Sequence, residues 1–378
     1  MQRFDVIVLG LGAMGSAATY HLARRGARVL GLEQFDIPHA RGSSHGHSRM
    51  IRQAYFEHPD YVPLILRAYE LWDSLEREAG HRLLQRTGGV YVGTPRGTLV
   101  SGSRASAEMH GLRHELLSRS DLARRFPQFC VGDDCVALFE PEAGYLLPER
   151  VVAAHVRLAL ELGARVHAHE PVLSWDADGD TVRVTSPSAV YHARRLIITP
   201  GAWASNIAAA LGVTVTPTRQ VLGWVWPKKP DLFTLGVMPV WAIESQTHGE
   251  HYGFPIDQDL PAPGFKVALH APGAPTDPDR THWHAQPGDE ATFRLLLQQH
   301  LPDASGDLLA IRVCMYENSP DSHFIIDHCP GKPNVTIACG FSGHGFKFSS
   351  VVGEILADLA LLGSTSLPIG FLRARRFA

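Results

Sequence analysis

A glycine-rich segment near the N-terminus has the residue types and spacing of a dinucleotide site. Gly10–Gly15 reads GLGAMG, follows the apolar run Val6–Leu9 and opens a helical pattern. In such a turn the first glycine makes the bend, the second lets backbone amides approach a pyrophosphate and the third lets the helix pack on the strand. Glu33 follows about twenty residues later, where its carboxylate can accept a hydrogen bond from a ribose. The spacing predicts a dinucleotide site but does not choose between nicotinamide and flavin, and similar turns occur without a ligand.

A second segment, near the C-terminus, combines a cysteine with a glycine turn and a lysine. Cys314 lies on the predicted strand 309–316, whose alternation puts Arg312 and Tyr316 on the same face. Gly340–Lys347 (GFSGHGFK) then places backbone amides and the positive end of a helix at the sheet edge, where they favour negative charge. From the residues alone, the cysteine is more often a small buried side chain and the lysine a solvated cation, and the turn is also explained by helix packing.

Polar side chains recur on the predicted strand 265–270 and in the segment Ser43–Arg52 (SSHGHSRMIR). On the strand, Lys266 and His270 are an even number of residues apart and share a face with Ala268. That pattern by itself indicates a solvated face of a sheet.

Two His-x-His pairs, at positions 45/47 and 282/284, have a spacing that metal ligands use. Neither pair has a carboxylate or cysteine partner at ligand spacing. No metal site is therefore predicted.

The two ends of the chain and the segment Ser43–Arg52 together resemble the monomeric sarcosine oxidase and N-methyltryptophan oxidase family. The similarity runs from Val6 to about Phe371 and is strongest over residues 41–72 and 311–357. In that family a cysteine in the same Cys-Met-Tyr context forms a thioether with the 8α-methyl group of FAD. The resemblance thus implies FAD attached covalently through Cys314. The other implied cofactor-binding residues are Gly10, Gly12, Ala13, Met14, Gly15, Glu33, Ser44, Val172, Gly201, Trp203, Gly343 and Gly345.

The resemblance also implies a set of catalytic residues. His45 and Arg49 are expected beside the flavin ring. Lys266 is expected over the flavin where oxygen is reduced, because a fixed cation stabilises the superoxide that electron transfer produces. His270 and Tyr252 are expected to line the substrate pocket.

For the substrate, the resemblance implies a carboxylate clamp made of Arg52 and Lys347. Ala242 is expected at a pocket position that is methionine in sarcosine oxidase, which hints at a substrate side chain larger than that of sarcosine. The chain departs from the family pattern at His47, where aspartate is usual. It also departs in the connection 257–264, which is a few residues longer.

The implied reaction is oxidation of a secondary amino acid such as sarcosine or N-methyl-L-tryptophan. Hydride passes to flavin, O2 is reduced to H2O2, and the imine hydrolyses to formaldehyde and the demethylated amino acid. Two alternatives are a flavin-dependent amino-acid dehydrogenase with a quinone acceptor and a non-catalytic flavin- or folate-binding assembly factor.

Composition agrees with a cytoplasmic enzyme that acts on small molecules. The 378 residues include 35 basic and 38 acidic side chains, which gives no basic patch for nucleic acid. The five cysteines are an odd set, which favours a reducing compartment. No targeting segment and no membrane-spanning run is recognised, so neither nucleic acid nor membrane is expected as a partner. By the resemblance, a monomer is expected.

The predicted fold is α/β, with a discontinuous Rossmann-like FAD-binding domain and an inserted antiparallel or mixed β-sheet domain for the substrate. The FAD-binding domain is assigned to residues 1–80, 145–214 and 311–378, and the substrate domain to residues 81–144 and 215–310. Helices are predicted at 14–25, 61–75, 149–162, 290–299 and 349–362. In the last of these, Val352, Ile355, Leu359 and Leu362 are expected to face inward.

Overall fold

Residues 3–377, the part of the chain that this computed structural model describes, form two large β-sheets and a small third one. The strands are β1 (Arg3–Leu9), β2 (Val29–Leu32), β3 (Arg49–Ile51), β4 (Leu84–Arg86), β5 (Gly89–Gly93), β6 (Glu115–Leu117), β7 (Val136–Glu140), β8 (Gly144–Leu146), β9 (Arg165–His167), β10 (Ser174–Asp178), β11 (Thr181–Thr185), β12 (Val190–Ile198), β13 (Thr216–Trp226), β14 (Val240–Ser245), β15 (Gly249–Phe254), β16 (Phe265–Leu269), β17 (Asp307–Asn318), β18 (Ile325–Cys329) and β19 (Lys332–Cys339). The helices are α1 (Ala13–Arg24), α2 (Tyr61–Ala79), α3 (Thr98–His110), α4 (Arg119–Arg125), α5 (Pro148–Glu161), α6 (Ser205–Ala209), α7 (Ala291–His300) and α8 (Ser349–Leu362).

The first sheet has a parallel centre built around β1. Strands β12 and β2 flank β1, β9 pairs with β2, and β19 pairs with the second half of β12. Strands β10, β11 and β18 add antiparallel edges. Val6 and Val8 point to a core shared with α1, α2, α5 and α8, whereas Ile7 and Leu9 point to a second core on the opposite face. Apolar side chains on both faces are what a parallel sheet covered on both sides requires.

The turn between β1 and α1 depends on glycine at two positions. Gly10 has a φ of +82°, which is unfavourable for other residues. A Cβ on Gly15 would lie 1.8 Å from the carbonyl oxygen of Gly10, so only glycine lets the helix start this close to the strand. The two positions thus have the roles that the dinucleotide pattern predicts.

The second sheet has the strand order β17-β13-β16-β15-β14-β5-β7-β6 and is antiparallel except where β5 and β14 pair. One of its faces packs on α4 and α7 through a core that includes Trp241, Phe265 and Phe293. The opposite face is turned toward the segment that begins the small sheet β3-β8-β4. This mixed sheet is the inserted domain that the sequence predicts.

Strand β17 pairs with β13 from Asp307 to Asn318, so residues 311–318 are hydrogen-bonded into the second sheet. The boundary assigned at residue 311 therefore falls inside a strand. The chain returns to the first sheet only with β18, β19 and α8.

The inward face predicted for α8 needs one correction. Val352, Ile355 and Leu359 are buried, but Leu362 is 73% exposed. Leu362 is the last residue of α8, and the chain reverses at Gly363 with a φ of +78°, so periodicity no longer determines burial there. Within residues 3–377, no helix has the length and apolar character needed to cross a bilayer.

Candidate active site

A cavity of about 490 Å³ runs from the β1–α1 turn to the strand that carries Cys314. It lies where β1 and β12 end, the place where open α/β sheets bind ligands. Among the residues that the sequence assigns to the site, those that line this cavity are Gly10, Gly12, Ala13, Met14, Glu33, Ser44, Arg49, Val172, Gly201, Trp203, Tyr252, Cys314, Gly343 and Gly345.

The β1–α1 end of the cavity has the donors and the space that a dinucleotide needs. Gly12 lines it, and the atom nearest to a Cβ built there is Ser44 Oγ at 3.5 Å, so the turn is open on that side. Ser44 Oγ also accepts a hydrogen bond from Ala13 N at 3.2 Å. The Glu33 carboxylate accepts from Leu11 N at 2.7 Å and from Phe35 N at 3.1 Å. These bonds fix Glu33 at the end of β2, beside the cavity.

Val172, Gly201 and Trp203 form a separate part of the lining, beyond the glycine turn. Gly201 has a φ of +54° and begins the short 3₁₀ turn that follows β12. Trp203 donates its indole N–H to Asp279 Oδ1 at 2.8 Å, which orients the ring at the cavity wall. An apolar wall with an oriented aromatic ring suits the base of a nucleotide.

Cys314 lies at the opposite end of the cavity and is 2% exposed. Arg49 Nη2 lies 3.4 Å from its sulfur and also donates to Ser43 O at 2.7 Å. Burial would lower the pKa of Arg49, but Cys314, Tyr252 and Glu149 raise it, so the guanidinium stays charged. The Cys314 thiol is thus held beside a fixed cation at this end of the cavity.

Lys266 is buried behind this end of the cavity, so the face of β16 that carries it is not solvated. Its Nζ donates to Gly46 O at 2.7 Å, to Ser48 O at 2.8 Å and to Ser48 Oγ at 3.1 Å. The rings of Trp224 and Phe254 lie 5.3 and 4.7 Å from Nζ. Burial and then Arg49 lower the pKa of Lys266 well below its ordinary value. The three hydrogen-bond acceptors oppose this effect, because they favour the ammonium form.

His45 is buried close enough to Arg49 and Lys266 for both cations to affect its ionisation, and its Nε2 has no hydrogen-bond partner among residues 3–377. Burial and Arg49 lower its pKa to about 3, so the imidazole is neutral at pH 7. A buried polar atom without a partner is rare in proteins. The open glycine turn shows that the residues present fit a group bound in the cavity, although His45 itself does not line it.

The segment around His45 departs from the family pattern at His47, and Glu149 supplies the local hydrogen bonds. Its carboxylate accepts from Gly46 N at 2.7 Å and from His47 N at 3.1 Å. His47 itself has a φ of +68°. A carboxylate from α5 thus organises this loop.

The C-terminal glycine turn packs directly on β17. Gly343 has a φ of +79°, and a Cβ there would lie 2.3 Å from the ring of Tyr316. A Cβ on Gly345 would lie 2.6 Å from the side chain of Phe341. Because no side chain fits at either position, the turn brings its backbone to the cavity wall.

The register of the second sheet puts the expected substrate residues on one face. Tyr252 on β15 lies opposite Ala242 on one side and Ala268 on the other. Lys266 and His270 are two residues before and after Ala268 and share that face. The His270 ring is 6.1 Å from that of Tyr252, and burial lowers its pKa to about 4, so it is neutral at pH 7.

Arg52 lies close enough to Lys347 to affect its ionisation, although neither residue lines the cavity. Arg52 Nη2 donates to both oxygens of Glu57 at 2.7 Å, and the guanidinium lies 4.5 Å from the ring of Tyr55. Burial would raise the pKa of Glu57, but Arg52 and His344 outweigh it and hold the pKa at about 2. Lys347 Nζ donates to His344 O at 2.9 Å. Burial, and next Arg52, lower the pKa of Lys347 to about 7.

Two carboxylates near this pair were not assigned from the sequence. Glu57 follows Arg52 by five residues, and Glu250 precedes Tyr252 by two residues on β15. The alternation of the strand indicates that Glu250 shares a face with Tyr252, but no property of the sequence places Arg52 beside them.

Within residues 3–377, no group of three or more His, Cys, Asp or Glu side chains could hold a metal ion. The pair 282/284 belongs to a loop in which Arg219 donates to the carbonyl oxygens of His282 and His284. His45 and His47 instead belong to the loop described above.

Comparison with known proteins agrees with this geometry. Residues 5–359 match the family DAO, described as FAD dependent oxidoreductase. The monomeric sarcosine oxidase of Streptomyces avermitilis is 46% identical over 377 residues, which is 99% of this chain and 98% of that protein. The N-methyl-L-tryptophan oxidase of Salmonella newport is 34% identical over 380 residues and the full length of both proteins.

The fold is similarly matched by solved structures. The open form of NikD, an unusual amino acid oxidase essential for nikkomycin biosynthesis, superimposes with a TM-score of 0.85 at 25% identity, covering 99% of this chain and 98% of that chain. Glycine oxidase from Geobacillus kaustophilus gives a TM-score of 0.80 at 18% identity over 99% of both chains and supports the fold alone. The predicted fold class is thus confirmed. The chain belongs to the FAD-dependent oxidoreductase family, and within it to the flavoprotein oxidases of the monomeric sarcosine oxidase and N-methyl-L-tryptophan oxidase type.

Proposed function

We propose that this protein oxidises the secondary amine of an N-methyl amino acid such as sarcosine or N-methyl-L-tryptophan. O2 is the electron acceptor, and the products are H2O2, formaldehyde and the demethylated amino acid. The observation that best supports the proposal is the shared face of the second sheet. It groups Lys266 and His270 with Tyr252, and Tyr252 lines a cavity that begins at a dinucleotide turn and reaches Cys314.

The residues that would hold FAD follow from the cavity lining. The β1–α1 turn and the N-terminus of α1 suit the pyrophosphate, Glu33 the ribose and Cys314 a thioether link. When bound, FAD supplies the two-electron acceptor for the substrate and the electron donor for oxygen. The protein then has to bind and orient the amino acid and needs no strong base of its own.

Two cations are available for the substrate carboxylate. Arginine suits a carboxylate because its planar group can donate two parallel hydrogen bonds, and lysine adds a point charge. Arg52 already pairs with Glu57, so a bound carboxylate must share the guanidinium or displace Glu57. Lys347 uses one donor on His344 O, which leaves its other N–H groups for the ligand.

The remaining polar residues have separate tasks. Neutral His270 and the phenol of Tyr252 can position the amine without adding positive charge, which favours the neutral amine that oxidation requires. Lys266 lies apart from the carboxylate clamp and provides the fixed cation for oxygen reduction. We further propose that the protein is cytoplasmic and monomeric. The monomeric state is proposed because relatives are named monomeric sarcosine oxidase.

The test is a screen of N-methyl amino acids, matched primary amino acids and N-alkylamines with the holoenzyme, with H2O2 and formaldehyde as readouts. Equimolar peroxide and formaldehyde from at least one N-methyl amino acid is the expected result. Anaerobic bleaching of the flavin without oxygen consumption in air would instead indicate a dehydrogenase with another acceptor. Absence of bleaching by every amine would indicate a binding protein.

A further inference from the structure

Glu250 is a carboxylic acid on the face of the second sheet that also carries the expected substrate residues. It lies on β15 two residues from Tyr252, and its carbonyl oxygen accepts from His270 N at 2.7 Å on the neighbouring strand. On the other side it lies opposite Glu244 of β14. By this register, Glu250 is next to both Tyr252 and His270 on the side of the sheet that faces the site.

The Glu250 carboxyl has no hydrogen-bond or ion-pair partner among residues 3–377. The neighbouring Glu244 differs, because its oxygens accept from Thr98 N at 3.1 Å and Leu99 N at 3.2 Å and so cap helix α3. Two acids lie side by side on one face, and only one of them has a structural task.

The nearby cations are occupied by other groups. Arg52 donates to Glu57 and to Ala54 O, and Lys347 donates to His344 O. Both cations are close enough to favour ionisation of Glu250, but neither makes a contact with it. A ligand would therefore be the first group to pair with this carboxyl.

The surroundings of Glu250 disfavour its charge in the absence of a ligand. Glu250 is half-buried on this face, and its carboxyl keeps limited access to solvent. Burial and then Glu57 raise its pKa to about 8, against the smaller opposite effects of Arg52 and Lys347. No contact within residues 3–377 gives this acid the helix-capping role that Glu244 has.

We infer that Glu250 binds a cationic group on the side chain of the substrate, so that the enzyme prefers N-methyl amino acids with a basic side chain. This inference rests on the proposed function. Arg52 and Lys347 would hold the α-carboxylate, and Glu250 would hold positive charge at the other end of the same amino acid. Ala242, beside Tyr252 on β14, presents only a methyl group to this face and so leaves room for a long side chain. Binding releases the carboxyl proton of Glu250 to solvent and forms a charge-assisted pair.

The test compares pairs of substrates that differ mainly in the terminal ammonium. Nα-methyl-L-lysine is compared with N-methyl-L-norleucine, and Nα-methyl-L-ornithine with N-methyl-L-norvaline, using the kcat/KM of the holoenzyme for peroxide formation. Wild type should prefer the basic member of at least one pair by about tenfold to a hundredfold. Glu250→Gln should abolish that preference and leave kcat/KM for the neutral member nearly unchanged.

Glu244→Gln is the matched control, because it removes the neighbouring acid from the same face and should retain the preference. The flavin spectrum and Tm of each variant establish that it is folded and loaded. Oxidation of the neutral substrates without a preference, or a preference retained in Glu250→Gln, overturns the inference alone. Failure of wild type on all four substrates and throughout the wider screen overturns the proposed function and the inference with it.

Discussion

Lys347 is the group whose ionisation we expect to control carboxylate binding between pH 6 and pH 9. Its ammonium group is buried, contacts His344 O and faces Arg52, Glu57 and Glu250. Burial and Arg52 together lower its pKa from 10.5 to about 7. In the free enzyme at neutral pH, about half of the molecules would therefore carry a charged Lys347.

The size of the effect follows from this pKa. A bound carboxylate favours the ammonium form, so above pH 7 binding must draw a proton onto Lys347. The protonated fraction of the free enzyme falls about ninetyfold between pH 6 and pH 9 for a pKa of about 7. If the bound lysine stays charged, the Kd rises by the same factor, which corresponds to about 2.7 kcal/mol.

The assay is a titration of the holoenzyme with propionate, which remains ionised throughout this range and cannot be oxidised as an amine. Perturbation of the flavin absorbance reports binding at each pH. Glu250 also titrates in this range, with a pKa of about 8, and its negative charge would further weaken anion binding at high pH. Glu250→Gln removes that contribution and isolates the lysine.

In Glu250→Gln, the Kd for propionate should rise at least about ninetyfold from pH 6 to pH 9, because loss of the Glu250 charge lowers the pKa of Lys347 further. Adding Lys347→Met should make the Kd nearly independent of pH. A constant Kd in Glu250→Gln would show that Lys347 does not titrate on ligand binding. An equal pH dependence after Lys347→Met would assign the effect to another group. Either result refutes the reasoning.

Three further predictions concern the cofactor and the cations. After acid precipitation, flavin should stay with the protein pellet in wild type and in the control Cys329→Ala, whereas in Cys314→Ala it should appear in the supernatant. Lys266→Met should slow reoxidation of the reduced enzyme by O2 far more than its anaerobic reduction by substrate, and an unchanged reoxidation rate in stopped flow would contradict the oxygen role. Arg52→Ala should cost about 2–4 kcal/mol in apparent affinity for N-methyl amino acids and much less for matched N-methylamines, and equal losses in KM would indicate a structural role.

The sequence predicts the fold well where local patterns decide it. The β1–α1 turn and the start of α2 at Tyr61 agree with their predicted positions, because glycine placement and apolar periodicity are local properties. The assignment of residues 311–318 to the FAD-binding domain has no such local basis. Which sheet accepts the long strand β17 depends on its pairing with β13, a contact between distant residues that no local pattern encodes.

The candidate site shows the same limit. Alternation on β16 correctly puts Lys266 and His270 on one face, but it also favours a solvated face, whereas the structure buries Lys266 beneath the Ser43–Arg52 loop. The solvated interpretation fails because the loop that covers the strand comes from residues more than two hundred positions earlier. Glu57 is missed for a related reason, since its importance arises only from its contact with Arg52.

The contact between Arg52 and Glu57 has a consequence for selectivity. With Glu57 charged and Glu250 protonated, the positive charge of Arg52 is already balanced before a ligand binds. A simple anion then gains attraction mainly from Lys347 and must compete with Glu57 for the guanidinium. A ligand that also brings positive charge can ionise Glu250 and pair with it, which offsets the charge of its carboxylate. The arrangement therefore favours amino acids with charges of both signs at separated positions over small carboxylic acids of the same size.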